Sequence, residues 1–132
     1  MEITITALKG VPLLEIRGEI DHNNCGALET ALGEVLDHGT TVVLLDLSRV
    51  TYIDSGGICV LLAGLRRIRD HGWLGVMGPN HNVRRILEIV GLVADPGFQV
   101  FADRSEAEAA LPETASVETI PPANVTPEGD RT

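Results

Sequence analysis

The sequence has 132 residues, 44% of them hydrophobic, which is enough chain for one domain around one core and too little for a multidomain enzyme. Aromatic residues make up only 3% and the formal net charge is −9. That combination excludes the basic, aromatic-bearing surfaces that neutralise phosphates and stack bases, so no direct nucleic-acid partner is expected and a basic protein surface suits the charge better.

From the N-terminus, "ITITAL" and "LLEIRGEI" alternate with period two, the second placing Leu14 and Ile16 on one face and Glu15 and Arg17 on the other. They read as two opening strands joined by a turn around Gly10 and Pro12. After Asp21, "NNCGALETALGEVLDHG" changes to helical spacing, with Leu28, Ala31, Leu32, Val35 and Leu36 on one face and Gly39 as the stop. "TVVLLDL" does not alternate, which predicts a strand covered on both faces in the middle of a parallel sheet.

Ile58, Leu61, Leu62, Leu65 and Ile68 then keep helical spacing up to Gly72. "WLGVMG" reads as a short strand, and "NVRRILEIVG" as a helix with Val83, Ile86, Leu87 and Val90 inward. "FQVF" reads as an edge strand. "DRSEAEAAL" reads as a closing helix capped by Asp103, with Glu106 three residues on in a capping-box arrangement. From Pro112 onward, scattered prolines and acids without period predict a disordered tail over residues 112–132, leaving residues 1–111 as the domain. The order β-β-α-β-α-β-α-β-α predicts an α/β fold, a mixed, mainly parallel sheet flanked by about four helices.

Cys25 and Cys59 form no CxxC pair and join no cluster at zinc spacing, so no metal and no disulfide is expected; both read as reduced, buried small hydrophobes. No apolar run approaches the roughly 18 residues of a membrane span and no signal segment is visible, so the expected location is cytoplasmic, with no membrane partner. Arg66, Arg67, Arg69, Arg84 and Arg85 read as structural or solvated charges on two helices.

The stretch "YIDSGGI" places a hydroxyl, an acid and two glycines between a core strand and a core helix. Four readings stand side by side. Asp54 or Ser55 caps the helix while Gly56 and Gly57 allow close packing. Ser55 is a nucleophile, although the motif is not GxSxG and His22, His38, His71 and His81 sit at helix ends or loops, so no catalytic residue is assigned. The glycines cradle a nucleotide phosphate, although neither GxxxxGK[ST] nor GxGxxG is present, so no cofactor is assigned. Or Ser55 is itself a substrate, phosphorylated by another protein at a helix N-terminus that tolerates negative charge.

"GEID" at Gly18 to Asp21, "LDLSRVTYIDSGGI" at Leu45 to Ile58 and "RRILEIVGL" at Arg84 to Leu92, in that order and spacing, resemble the STAS domains of bacterial anti-sigma factor antagonists over about residues 3–111. The resemblance implies a STAS-like single domain that binds an anti-sigma factor, itself a serine kinase, and so releases a sigma factor. It implies Ser55 as phosphoacceptor, with Glu19, Asp21, Ser48, Asp54, Gly56 and Gly57 around the partner-binding surface, and a serine phosphatase that resets the switch. It implies no enzymatic activity, and a monomer or weak dimer. Gly56 departs from the pattern, because many relatives carry a second Ser or Thr there. Two rival functions are a STAS adaptor subunit of a stress-sensing or transporter-linked complex whose Ser55 is never modified, and a small serine hydrolase.

Overall fold

The structure is a computed structural model that describes residues 1–112. Of the tail expected from Pro112 onward, residues 113–132 lie outside the described residues. Five strands and four helices follow the expected order: β1 (Glu2–Leu8), β2 (Val11–Ile20), α1 (Cys25–Leu36), β3 (Val42–Ile53), α2 (Ser55–Ile68), β4 (Trp73–Met77), α3 (His81–Ile89), β5 (Phe98–Phe101) and α4 (Arg104–Ala110). The strands lie side by side in sequence order, β1 antiparallel to β2 and the rest parallel, so the sheet is mixed and mainly parallel.

Each β-to-β crossover after β2 passes through a helix, because parallel neighbours cannot be joined by a tight turn. The apolar faces of α1, α2 and α3 close one side of the sheet, where Leu14, Leu45, Leu61 and Leu65 are fully buried. On the other side Leu13, Leu44, Met77 and Phe101 meet Ala107 and Leu111 around the short helix α4. Leu13 is thus as buried as Leu14: the second opening strand alternates only over its C-terminal part, where no helix covers its second face. For the same reason β3 is covered on both faces through Val43, Leu44 and Leu45, while Asp46 is half-buried and Ser48 exposed where α4 no longer reaches.

Two expectations of burial are corrected. Cys25 is half-buried and Cys59 is exposed. Ile58, Leu61, Leu65 and Ile68 form the inward stripe of α2, and Cys59 stands one position off it. Val90 is exposed because α3 ends at Ile89; the chain turns at Gly91, at φ +87°, and Leu92 enters the core instead. The capping of α4 is close to expectation. Asp103 accepts from the Glu106 N–H at 3.0 Å, and the Glu106 carboxylate accepts from the N–H of Ala102, one residue before the cap. Three of the five arginines are tied to acids, Arg67 to Asp37 at 2.7 Å, Arg69 to Asp95 at 2.9 Å and Arg84 to Glu88 at 3.2 Å, as structural surface charges.

The parallel register places Ile20 beside Ile53. The two strands therefore end together, and the loop from β2 into α1 lies against the junction from β3 into α2. That adjacency builds the site.

Candidate functional site

Asp54 is the N-cap of α2. Its backbone is extended and its N–H donates to the Ile20 carbonyl at 3.0 Å, a last rung between the two strands. One carboxylate oxygen accepts from the N–H groups of Gly56 at 2.8 Å and Gly57 at 3.4 Å. The other accepts from the backbone N–H of His22 at 3.1 Å and meets the His22 ring Nδ1 at 3.2 Å. Burial works against ionisation of this group. The ring and backbone bonds from His22 and those from Gly56 and Gly57 outweigh it and hold the carboxyl below the usual carboxylate range.

This division of labour separates the readings of Ser55. Capping falls to Asp54, so the serine hydroxyl is not needed for it. Ser55 is the first residue of α2, it is exposed, and among the described residues its side chain has no hydrogen-bond partner. The ring of His22 is bound to Asp54 and not to Ser55, so the bond from base to nucleophile that hydrolysis needs is absent among the described residues. The N–H groups of Gly56 and Gly57, which a bound nucleotide phosphate would need, are already taken by Asp54.

The glycines have a packing cause. A Cβ on Gly56 would stand 2.8 Å from the Cα and 3.0 Å from the N of His22. One on Gly57 would stand 2.6 Å from Ile53 and 2.7 Å from Ile20 side-chain atoms. The first turn of α2 is pressed against the β2–α1 loop at Gly56 and against the ends of β2 and β3 at Gly57, so closely that neither position has room for a side chain. In this chain the second hydroxyl expected of the motif is replaced by close approach of the loop.

Asp21 organises that loop from within. Its carboxylate accepts from the N–H groups of Asn23 at 2.9 Å and Asn24 at 3.1 Å, and its own N–H donates to the Asn24 side chain at 2.9 Å. The Asn24 amide donates back to the Glu19 carbonyl at 2.9 Å, leaving the Glu19 side chain exposed. Tyr52, half-exposed, is paired in register with Glu19 on the neighbouring strand. The structure thus brings Glu19, Asp21, Asp54, Ser55, Gly56 and Gly57 to one end of the sheet.

Ser48 is not among them. It lies five residues before Ile53 on β3, roughly 16 Å along the strand at about 3.3 Å per residue. Its N–H donates to Asp46 at 2.9 Å, and it lines an open cavity of about 270 Å³ on the sheet face that α4 leaves bare, with Glu15, Arg17, Asp46, Arg49 and Arg104. His22 is the residue that sequence reasoning missed. Its contact with Asp54 spans 32 positions and follows only from the pairing of Ile20 with Ile53. The available signal was its place immediately after the GEID turn, at the end of a strand next to β3. Among the described residues no group of histidine, cysteine and acidic side chains could hold a metal ion, and no helix is long and apolar enough to cross a membrane.

Comparison with known proteins agrees with this fold. Residues 3–94 match the family described as "Mlab, STAS domain". The chain is 34% identical over 105 residues to the anti-sigma-F factor antagonist RsfB of Mycobacterium tuberculosis, covering 80% of this chain and 84% of that protein. It superposes on the crystal structure of an anti-sigma factor antagonist from Mycobacterium paratuberculosis with a TM-score of 0.74 at 28% identity, over 83% of this chain and 92% of that one. The phosphorylated form of the Bacillus cell fate determinant SpoIIAA shares the fold, with a TM-score of 0.64 at 18% identity, over 80% of this chain and 96% of that one. The protein is a member of the STAS-domain family of anti-sigma factor antagonists.

Proposed function

We propose that this protein binds an anti-sigma factor of the serine-kinase class and thereby releases a sigma factor, and that phosphorylation of Ser55 switches the binding off. As a member of its family it is a regulatory binding protein and not an enzyme. In this reading residues 1–111 are the binding domain, and Glu19, Asp21, Asp54, Gly56 and Gly57 shape the surface around the phosphoacceptor, with Ser48 further off on the open sheet face. A serine phosphatase restores the binding form, and the switch operates in the cytoplasm.

The observation that carries the reading is the exposed hydroxyl of Ser55 at the first position of α2, relieved of capping by Asp54. A phosphate there adds about −1.5 to −2 of charge. Since Asp54 already occupies the Gly56 and Gly57 amides, the phosphate is not drawn inward and projects from the surface beside a carboxylate, favoured by the helix dipole alone. The fold has no reason to rearrange, and the surface changes in charge. An interface that must accept that dianion without a matching cation loses about 2 to 5 kcal/mol. At about 1.4 kcal/mol per tenfold this is about thirtyfold to a few thousandfold in affinity.

The test is capture from host lysate on tagged wild type, Ser55→Ala and Ser55→Glu, with bound proteins identified by mass spectrometry. An ATP-binding anti-sigma kinase retained by the alanine form and lost from the glutamate form is the expected result. Identical partners on both variants would reduce Ser55 to a surface residue of a constitutive adaptor.

A further inference from the structure

The geometry points to a second interaction surface, the outer edge of β1, and to a second copy of this chain as its occupant. The residues that turn β1 into β2, Lys9 and Gly10, both have positive φ, +52° and +80°, the signature of a two-residue type I′ hairpin. In such a hairpin the residues flanking the turn, Leu8 and Val11, exchange both backbone bonds, and the pattern alternates from there. Glu2, Thr4, Thr6 and Leu8 therefore direct their N–H and C=O groups at β2. Ile3, Ile5 and Ala7 direct theirs away from the sheet. Pro12, which has no N–H to give, stands opposite Ala7, where none is required.

Among the described residues nothing pairs with that outer edge, since β1 is the first strand of the sheet and bonds only to β2. Exposed edges of natural sheets are blunted by inward charges, prolines, bulges or brevity. β1 has none of these devices between Ile3 and Leu8: it runs in unbroken register over seven residues, rich in isoleucine and threonine. The opposite edge, β5, is only four residues long and runs directly into α4. Among the described residues the sheet is guarded on one side and open on the other.

The strand is complementary to itself. Antiparallel pairing about a two-fold axis at Ile5 sets Ile5 opposite Ile5 of the second copy, Ile3 opposite Ala7, and Thr4 opposite Thr6. The outward-pointing residues fall opposite one another, so each can exchange both of its backbone bonds. Isoleucine meets apolar residues on the α1 face and threonine meets threonine on the other. Ile5, 49% exposed, borders a groove of about 300 Å³ lined by Ala7, Pro12 and Val35, which the second copy's strand would cover. One short ladder buries less than the roughly 800 Å² per partner of a standard stable interface, so the dimer is weak and concentration-dependent.

The full chain is tested by sedimentation velocity over a concentration series, together with amide hydrogen exchange in dilute and concentrated solution. Mass should rise from monomer to dimer. The amides of Ile3, Ile5 and Ala7 should gain protection with concentration, while those of Thr4 and Thr6 are protected throughout. Ile5→Lys, which sets like charges directly opposite, should weaken the dimer at least about tenfold. Ala7→Pro, which removes an outward N–H and leaves the β2 ladder intact, should do the same. A chain that stays monomeric at every concentration, a dimer untouched by both substitutions, or protection of the three amides that is already complete in dilute solution, as when the chain's own C-terminal residues cover the edge, each overturns the proposal.

Discussion

Asp54 holds more of the site together than any other residue, because one carboxylate fastens two loops that are far apart in sequence. Its depressed pKa fixes the sign of a pH effect. A carboxyl ionised more readily in the folded chain than in the unfolded one contributes stability above its unfolded value, about 3.9, and that contribution is lost as pH falls through the lower folded value. The stability difference between wild type and Asp54→Asn, measured by urea unfolding, should shrink as pH falls below about pH 4. A difference that grows below about pH 4 would place the stabilising charge elsewhere.

Gly56 supplies the second prediction at this scale. In an open helix position Gly→Ala is favourable by up to about 1 kcal/mol. Here the new methyl meets the backbone of His22 at 2.8 Å, which cannot rotate aside, and overpacking of this kind costs about 1 to 3 kcal/mol. Gly56→Ala should therefore be net destabilising and should shift the His22 amide resonance. The sequence shows the acid, the hydroxyl and the two glycines, and the cap is one of its readings. The reason for Gly56 is invisible there, because it lies in a contact with His22 that exists only once two parallel strands have ended side by side.

At the scale of elements, the order and type of all nine described elements were legible from the apolar pattern, since alternation and helical spacing report which face each segment buries, but β3 runs to Ile53, six residues beyond the non-alternating run "TVVLLDL" that predicts it. The errors cluster where covering runs out. Leu13 and Asp46 depend on how far α4 extends across the second face of the sheet, and Val90 depends on where α3 stops. Neither is encoded in local spacing.

The joint between β3 and β4 gives a test at this scale. A Cβ on Gly72 would fall 1.6 Å from the Thr41 carbonyl oxygen, the same oxygen that accepts the Trp73 N–H at 2.9 Å. Gly72→Ala must part the starts of the two strands and should cost at least about 1 to 3 kcal/mol in urea unfolding. Gly26→Ala on α1, where the added carbon meets nothing within 4 Å, should be neutral or stabilising by up to about 1 kcal/mol. Equal effects at the two glycines would mean that packing against Thr41 is not what selects Gly72.

For the molecule as a whole, an acidic, aromatic-poor domain offers a partner one end of a sheet where loops and a helix start converge. The core is mainly aliphatic and doubly layered, so modification at that end can alter the surface without disturbing the packing beneath it. In the proposed function, partner switching needs only a local change of charge and no transmitted conformational change. The most direct measurement is the affinity of the captured anti-sigma kinase for purified wild type, Ser55→Ala, Ser55→Glu and the Ser55-phosphorylated chain, with thermal unfolding of each followed in parallel. The account predicts tight binding by the first two, loss of at least about thirtyfold on phosphorylation with a smaller loss for glutamate, and closely similar unfolding midpoints. Equal affinity of the phosphorylated and unmodified chains would contradict it.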